Sequence, residues 1–263
     1  TRRILAQLRA DRRTVGLIAG VPAVLLTLLY FVYRDYPGAS ALFDHVAVTM
    51  MAVLPMAVMF LVTSVAMLRE RSGGTRERLW TTPIRRADLL FGYATAFAAT
   101  AVVQSLILCS VAAWGLDVEI SASWGWVMLT ALVDAFVGVA LGLFASAFAR
   151  TEFQAVQFMP VVIAPQLFLC GLLVARDQMP RALEAVGDVL PMSWAVDAVG
   201  ELAMNAEPSG DFFRNLAYLL CFGMVALAVA AAQDPVGQRP LDAPECRSSA
   251  FLPVKGDRGS RGS

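Results

Sequence analysis

Six runs of the chain are nearly free of charge, and nothing else in the sequence narrows its fold so far. They are Val15 to Tyr33, Val46 to Leu68, Leu89 to Leu116, Ser121 to Ala149 (interrupted only by Asp134), Phe153 to Ala175, and Asn215 to Ala232. A helix rises about 1.5 Å per residue, so about 20 residues cross a hydrocarbon layer roughly 30 Å thick. Core helices of soluble proteins rarely run so long without a polar face. The balance of 58% hydrophobic to 16% charged residues agrees. The fold class that follows is an all-α integral membrane protein with six transmembrane helices. Pro55 should kink the second helix, and Pro160 and Pro165 should break up the fifth.

Between the runs the texture changes in ways that suggest a topology. The opening "TRRILAQLRADRR" places Ile4, Leu5 and Leu8 on one helical face, as an amphipathic helix lying in the membrane interface would, and residues 1–14 are assigned to it. Residue 1 is threonine, so the natural N-terminus is read as longer, and the first apolar run is too long for a signal-peptide core. Between runs five and six, Met179, Leu183, Val186, Leu190, Trp194, Val196 and Val199 are spread through a segment too polar to span and too apolar for an ordinary loop. It reads as short helices that enter the membrane and return. With the N-terminus inside, the inner segments before the tail hold twelve basic residues and the outer segments four, Arg34, Arg176, Arg181 and Arg214. That places both termini in the cytoplasm of a multi-pass protein of the plasma membrane. Trp80, Trp114, Trp124 and Trp126 stand near run ends, as an aromatic belt requires. Residues 233–263, rich in Pro, Gly, Ser and Arg, should be disordered, and the final "GDRGSRGS" resembles a linker as much as a native tail.

The composition also limits the chemistry. Net charge is zero, which gives no pull toward nucleic acid. Cys109, Cys170, Cys221 and Cys246 are too far apart to suggest a disulfide framework or a zinc site. No phosphate loop, HExxH or GxSxG motif is present, and His45 is the only histidine. An enzyme is not expected, and no cofactor or metal is assigned to this chain. Asp134 is the one ionisable residue deep in a run. It is either a cation-binding or proton-carrying group, as in an ion-coupled secondary transporter, or an acid that fixes helix packing through Thr130 or a polar group on another helix. Gln154, Gln157 and Gln166 in the fifth run, opposed by Gln104 in the third and joined by Phe168, could line a substrate path or serve as packing contacts.

The segment "RERSGGTRERLWTTPIRRADLL", residues 69 to 90, carries nine charged side chains. A generic inner loop needs only positive charge, yet here acids alternate with bases: Arg69, Glu70 and Arg71, then Arg76, Glu77 and Arg78. Thr75 fits a helix N-cap after Gly73-Gly74, and Pro83 ends the segment. Leu79 and Trp80 form an apolar ridge among the charges that suits a protein partner.

This pattern resembles the permease subunit of ATP-binding-cassette exporters of the second type, the drug or antibiotic efflux permeases. The matching residues are Arg69-Glu70-Arg71, Gly74-Thr75, Glu77-Arg78-Leu79 and Thr82-Pro83, and later Phe168, Gly171, Met179-Pro180, Pro191, Trp194 and Asp197-Ala198. Cys170 stands where that family usually has serine, and Trp194 where tyrosine is common. The resemblance covers residues 1 to 232, the transmembrane domain, and implies a division of labour. This chain would supply half of a membrane path, and separate nucleotide-binding subunits would bind ATP and magnesium. Residues 69–88 would form the coupling loop, with Glu70, Arg71, Thr75, Glu77, Arg78 and Leu79 touching the ATPase. Residues 177–205 would be re-entrant helices capping the outer mouth, and the N-terminal segment a connecting helix. A second permease, identical or homologous, would complete the assembly. The substrate would be a small amphiphile, with lipids or polyketide-like natural products as the alternative.

Overall fold

The computed structural model describes residues 12–35, 39–72, 86–149, 151–172, 174 and 176–233. The helices are α1 (Arg12–Tyr33), α2 (Ala39–Ser72), α3 (Arg86–Ser110), α4 (Trp124–Phe148), α5 (Glu152–Leu169), α6 (Arg181–Gly187), α7 (Pro191–Met204) and α8 (Gly210–Gln233). A π-helical turn, Val111–Gly115, continues α3, and a 3-10 turn, Arg176–Gln178, precedes α6. No strand occurs among the described residues. The interfacial helix expected at residues 1–14 lies outside them, apart from the three residues that begin α1, and so does the expected tail from residue 234 onward.

Among the described residues, four stretches are long and apolar enough to cross a membrane: Phe43–Arg69, Thr95–Gly115, Trp124–Phe148 and Gly210–Ala232. Gly20–Tyr33 in α1 is a shorter apolar helix. The fifth run gives an 18-residue helix containing Pro160 and Pro165. It ends before the apolar run does, because Gly171 adopts φ +95°, a left-handed conformation that glycine takes without a Cβ clash. The last run gives a longer helix than its apolar residues suggest. Ser209 Oγ accepts the Asp211 N–H at 3.0 Å, and Asp211 pairs with Arg214 at 2.7 Å, so a charged first turn extends α8 back to Gly210.

Helix α4 is the hub, packing against α2, α3, α7 and α8, while α2 also meets α1, α3, α5 and α7. The closest approach is between α2 and α4. A Cβ on Gly138 would overlap the Met56 carbonyl oxygen and come within 2.9 Å of the Met56 Cα. A Cβ on Gly142, one turn further, would lie 2.7 Å from the Phe60 carbonyl oxygen and 3.2 Å from the Ser64 nitrogen. The Gly-x-x-x-Gly spacing thus lets two backbones touch, which matters where lipid tails are as apolar as leucine and close packing must hold helices together.

The short helices are tied to this hub. Ala122 N–H donates to the Leu202 carbonyl at 3.0 Å, and Ser121 N–H to that of Ala203 at 3.4 Å. The chain entering α4 therefore satisfies carbonyls that the end of α7 leaves without helical donors. Pro191 opens α7, where its missing N–H has no helical acceptor to lose. Trp126 packs edge-on to Phe212 and Phe213, and Trp114 is 87% exposed at the end of the π turn. An exposed tryptophan at the end of an apolar helix fits the expected aromatic belt.

Candidate functional site

The C-terminal end of α2 remains helical through Ser72, beyond the apolar run, so Arg69, Glu70 and Arg71 form part of its last turns. Arg69 Nε lies 3.1 Å from Glu152 Oε2 at the start of α5. Beneath this pair Leu68, Ala149 and Ala155 are buried together, flanked by Val65 and Phe158. Thr151 caps α5 by accepting the Gln154 N–H at 3.2 Å, and Glu152 places its charge at the positive end of the helix dipole. Thr75, Glu77, Arg78 and Leu79 lie outside the described residues, and Glu70 and Arg71 are placed by their backbone alone.

At mid-depth Asp134 is fully buried, and its Oδ2 accepts the backbone N–H of Met56 at 3.0 Å. Thr130 is not its partner, since that hydroxyl donates to the Trp126 carbonyl within its own helix. Gln104 on α3 is also fully buried, and neither end of its amide has a hydrogen-bond partner among the described residues. Asp134 Oδ1, Ser105 Oγ and Thr63 Oγ1 share that condition.

The residues expected on α5 divide. Gln157 and Phe168 are exposed, together with Phe153, Pro160, Val161 and Pro165, and make up a face that the other described residues leave uncovered. Gln166 is instead buried. Its Oε1 accepts the Met192 N–H at 3.3 Å, and its Nε2 donates to the Val162 carbonyl at 2.9 Å. It therefore joins α5 to the start of α7.

Above this joint, Arg176 grips both carboxylate oxygens of Asp197 on α7 and reaches Asp188 Oδ1 at 3.3 Å. Trp194 Nε1 donates to the Asp188 carbonyl at 2.8 Å and packs its ring against Tyr218 and Phe222 of α8. Burial pushes the Asp197 carboxyl above its ordinary range, although the Arg176 guanidinium beside it pulls the other way. The sequence singled out Asp197 only through a motif and did not join it to Arg176. A usable signal was present: an acid among the apolar residues of α7 needs a cation nearby.

These ties join the helices into one frame. Residues 1–203 match the model of the family described as "ABC-2 type transporter". The chain belongs to that family. Among its relatives the linearmycin resistance permease protein LnrN of Bacillus subtilis is 25% identical over 161 residues, 61% of this chain and 42% of its own. The probable multidrug ABC transporter permease YbhR of Escherichia coli is 23% identical over 167 residues, 64% of this chain and 45% of its own. ABC transporter G family member 20 of Dictyostelium discoideum is 28% identical over 166 residues, 63% of this chain and 23% of its own. The chain thus spans less than half the length of each of these relatives. As an ABC-2 type chain it is grouped with transporter membrane subunits, and its apolar helices fit a multi-pass membrane protein.

Proposed function

We propose that this chain is the membrane-spanning part of an ATP-driven exporter that moves amphiphilic small molecules out of the cell. One observation carries the reading. Arg69-Glu70-Arg71, which open the segment of residues 69–88, belong to the last turns of a long apolar helix and not to a detached loop. A push on that segment would reach α2 directly, and α5 through the Arg69–Glu152 pair. In this reading α1, α2, α3, α4, α5 and α8 cross the plasma membrane with both termini cytoplasmic. The helices α6 and α7 are re-entrant and cap the outer mouth. A nucleotide-binding partner holds ATP and magnesium and docks on Glu70, Arg71, Thr75, Glu77, Arg78 and Leu79. A second permease, a copy or a homologue, faces the uncovered side of α5, where Gln157 and Phe168 would meet substrate.

The names of LnrN and YbhR favour an antibiotic or drug as substrate, with lipids or polyketide-like products fitting the same apolar path. Ion-coupled transport through Asp134 is disfavoured by its position between α2 and α4, where it accepts a backbone N–H. The test is reconstitution of the chain in liposomes with a nucleotide-binding subunit that copurifies with it. ATP-dependent movement of an amphiphilic dye is expected. Glu77→Arg should abolish substrate-stimulated ATP hydrolysis while the chain stays in the membrane. Unchanged stimulation would overturn the docking assignment, and movement driven by a proton gradient with the ATPase inactivated would overturn the exporter.

A further inference from the structure

Pro55 lies within the apolar stretch Phe43–Arg69, and proline has no N–H. The Met51 carbonyl one turn earlier therefore loses its helical donor, and the ring crowds that same carbonyl, which bends a helix. In hydrocarbon no water is present to satisfy what a bend exposes. Here the next residue is served from another helix, because the Met56 N–H donates to Asp134 Oδ2. The side chain reaches that N–H because Gly138, one turn further along α4, brings the two backbones into contact at Met56. Gly142 repeats the contact against Phe60. The remaining oxygen of Asp134 has no partner among the described residues, so the contact uses a single acceptor.

We propose that Asp134 is a positioning residue that ties α2, next to Pro55, to α4, so that the helix carrying the coupling segment turns about a fixed point at Met56. The idea rests on the exporter reading for its functional consequence and on the geometry alone for the anchor. What the anchor needs is the shape of the side chain and one accepting oxygen. An amide offers both, and charge is not required. Its need also arises from the proline. With alanine at position 55 the helix regains an N–H for the Met51 carbonyl, and α2 depends less on a tie from another helix.

The experiment compares Asp134→Asn, Asp134→Ala, Pro55→Ala and the double variant Pro55→Ala with Asp134→Ala, each at equal amounts in the membrane. Asp134→Asn should keep transport within about threefold of the parent, while Asp134→Ala should lose at least about tenfold in molecules moved per ATP hydrolysed. The double variant should recover most of that loss, and melting temperatures in detergent should fall in the same order. Failure of Asp134→Ala alone to reach the membrane, with the other three present, would support the anchor equally. If Asp134→Asn is as inactive as Asp134→Ala, the charge matters and the proposal fails. It also fails if Asp134→Ala is unimpaired, or if the double variant is no better than Asp134→Ala. Should the parent complex move nothing with ATP, the exporter reading falls, and the melting temperatures still decide the anchor.

Discussion

Arg69 near the C-terminal end of α2 is joined to Glu152 in the first turn of α5, Nε to Oε2 at 3.1 Å. The side chains are 61% and 48% exposed, so surrounding water or headgroups weaken their attraction. Pairs of this kind contribute about 0.2–1 kcal/mol. A double-mutant cycle with Arg69→Gln and Glu152→Gln, read by thermal melting in detergent, should give a coupling energy in that range. Raised salt should shrink it further. Stimulated ATP hydrolysis should respond more than stability does, because the pair joins the segment that leads to the docking surface with α5.

Gly138 and Gly142 leave no room for a methyl group against the backbone of α2, whereas a Cβ on Gly20 of α1 would meet nothing within 4 Å. Overpacking a tight contact costs about 1–3 kcal/mol, so Gly138→Ala and Gly142→Ala should each lower stability by that amount. Gly20→Ala removes a flexible residue from a helix and should be neutral or stabilising by about 0.5–1 kcal/mol. Melting curves of the three variants in one detergent check the contrast. Equal effects at all three positions would contradict the close α2–α4 approach.

Those glycines show what a sequence can and cannot reveal. The apolar runs announced α2, α3, α4 and α8, because length and absence of charge are local properties. Asp134 stood out for the same reason, as one acid in a long apolar run. Its partner did not, since a backbone N–H on another helix leaves no mark in residue type. The partner became visible only when Pro55, Gly138 and Asp134 were brought to one place. Gln157 and Gln166 of α5 were indistinguishable in the sequence, and their places diverge with the direction each side chain takes. The Arg176–Asp197 contact was hidden because its members lie 21 residues apart and are brought together by the short helix α6 between them. The coupling residues Thr75, Glu77, Arg78 and Leu79 rest on the sequence pattern alone.

Gln166 and Gln157 should therefore behave differently. Gln166→Leu strands the buried Met192 N–H, and an unmade hydrogen bond at a buried donor costs about 1–3 kcal/mol. Gln157 is exposed on the uncovered face of α5, so Gln157→Leu should leave stability within about 0.5 kcal/mol. If that face meets substrate, Gln157→Leu should instead change the concentration at which a transported dye half-saturates the complex. Melting curves and transport titrations of both variants separate the roles.

The Arg176–Asp197 contact gives a dependence on pH whose direction is fixed. Burial raises the Asp197 carboxyl above its unfolded value by more than Arg176 lowers it. Between those two values the folded chain holds a proton that the unfolded chain has lost, so stability falls as pH rises through that window. Asp197→Asn removes the titrating group, and its melting temperature should decline less steeply over the interval than the parent's. Arg176→Gln should steepen the decline, because it removes the positive charge that opposes the upward push of burial on the Asp197 carboxyl. Melting temperatures of the parent and the two variants, taken from acid to neutral pH in one detergent, test both directions. A parent slope that survives unchanged in Asp197→Asn would assign the dependence to another group.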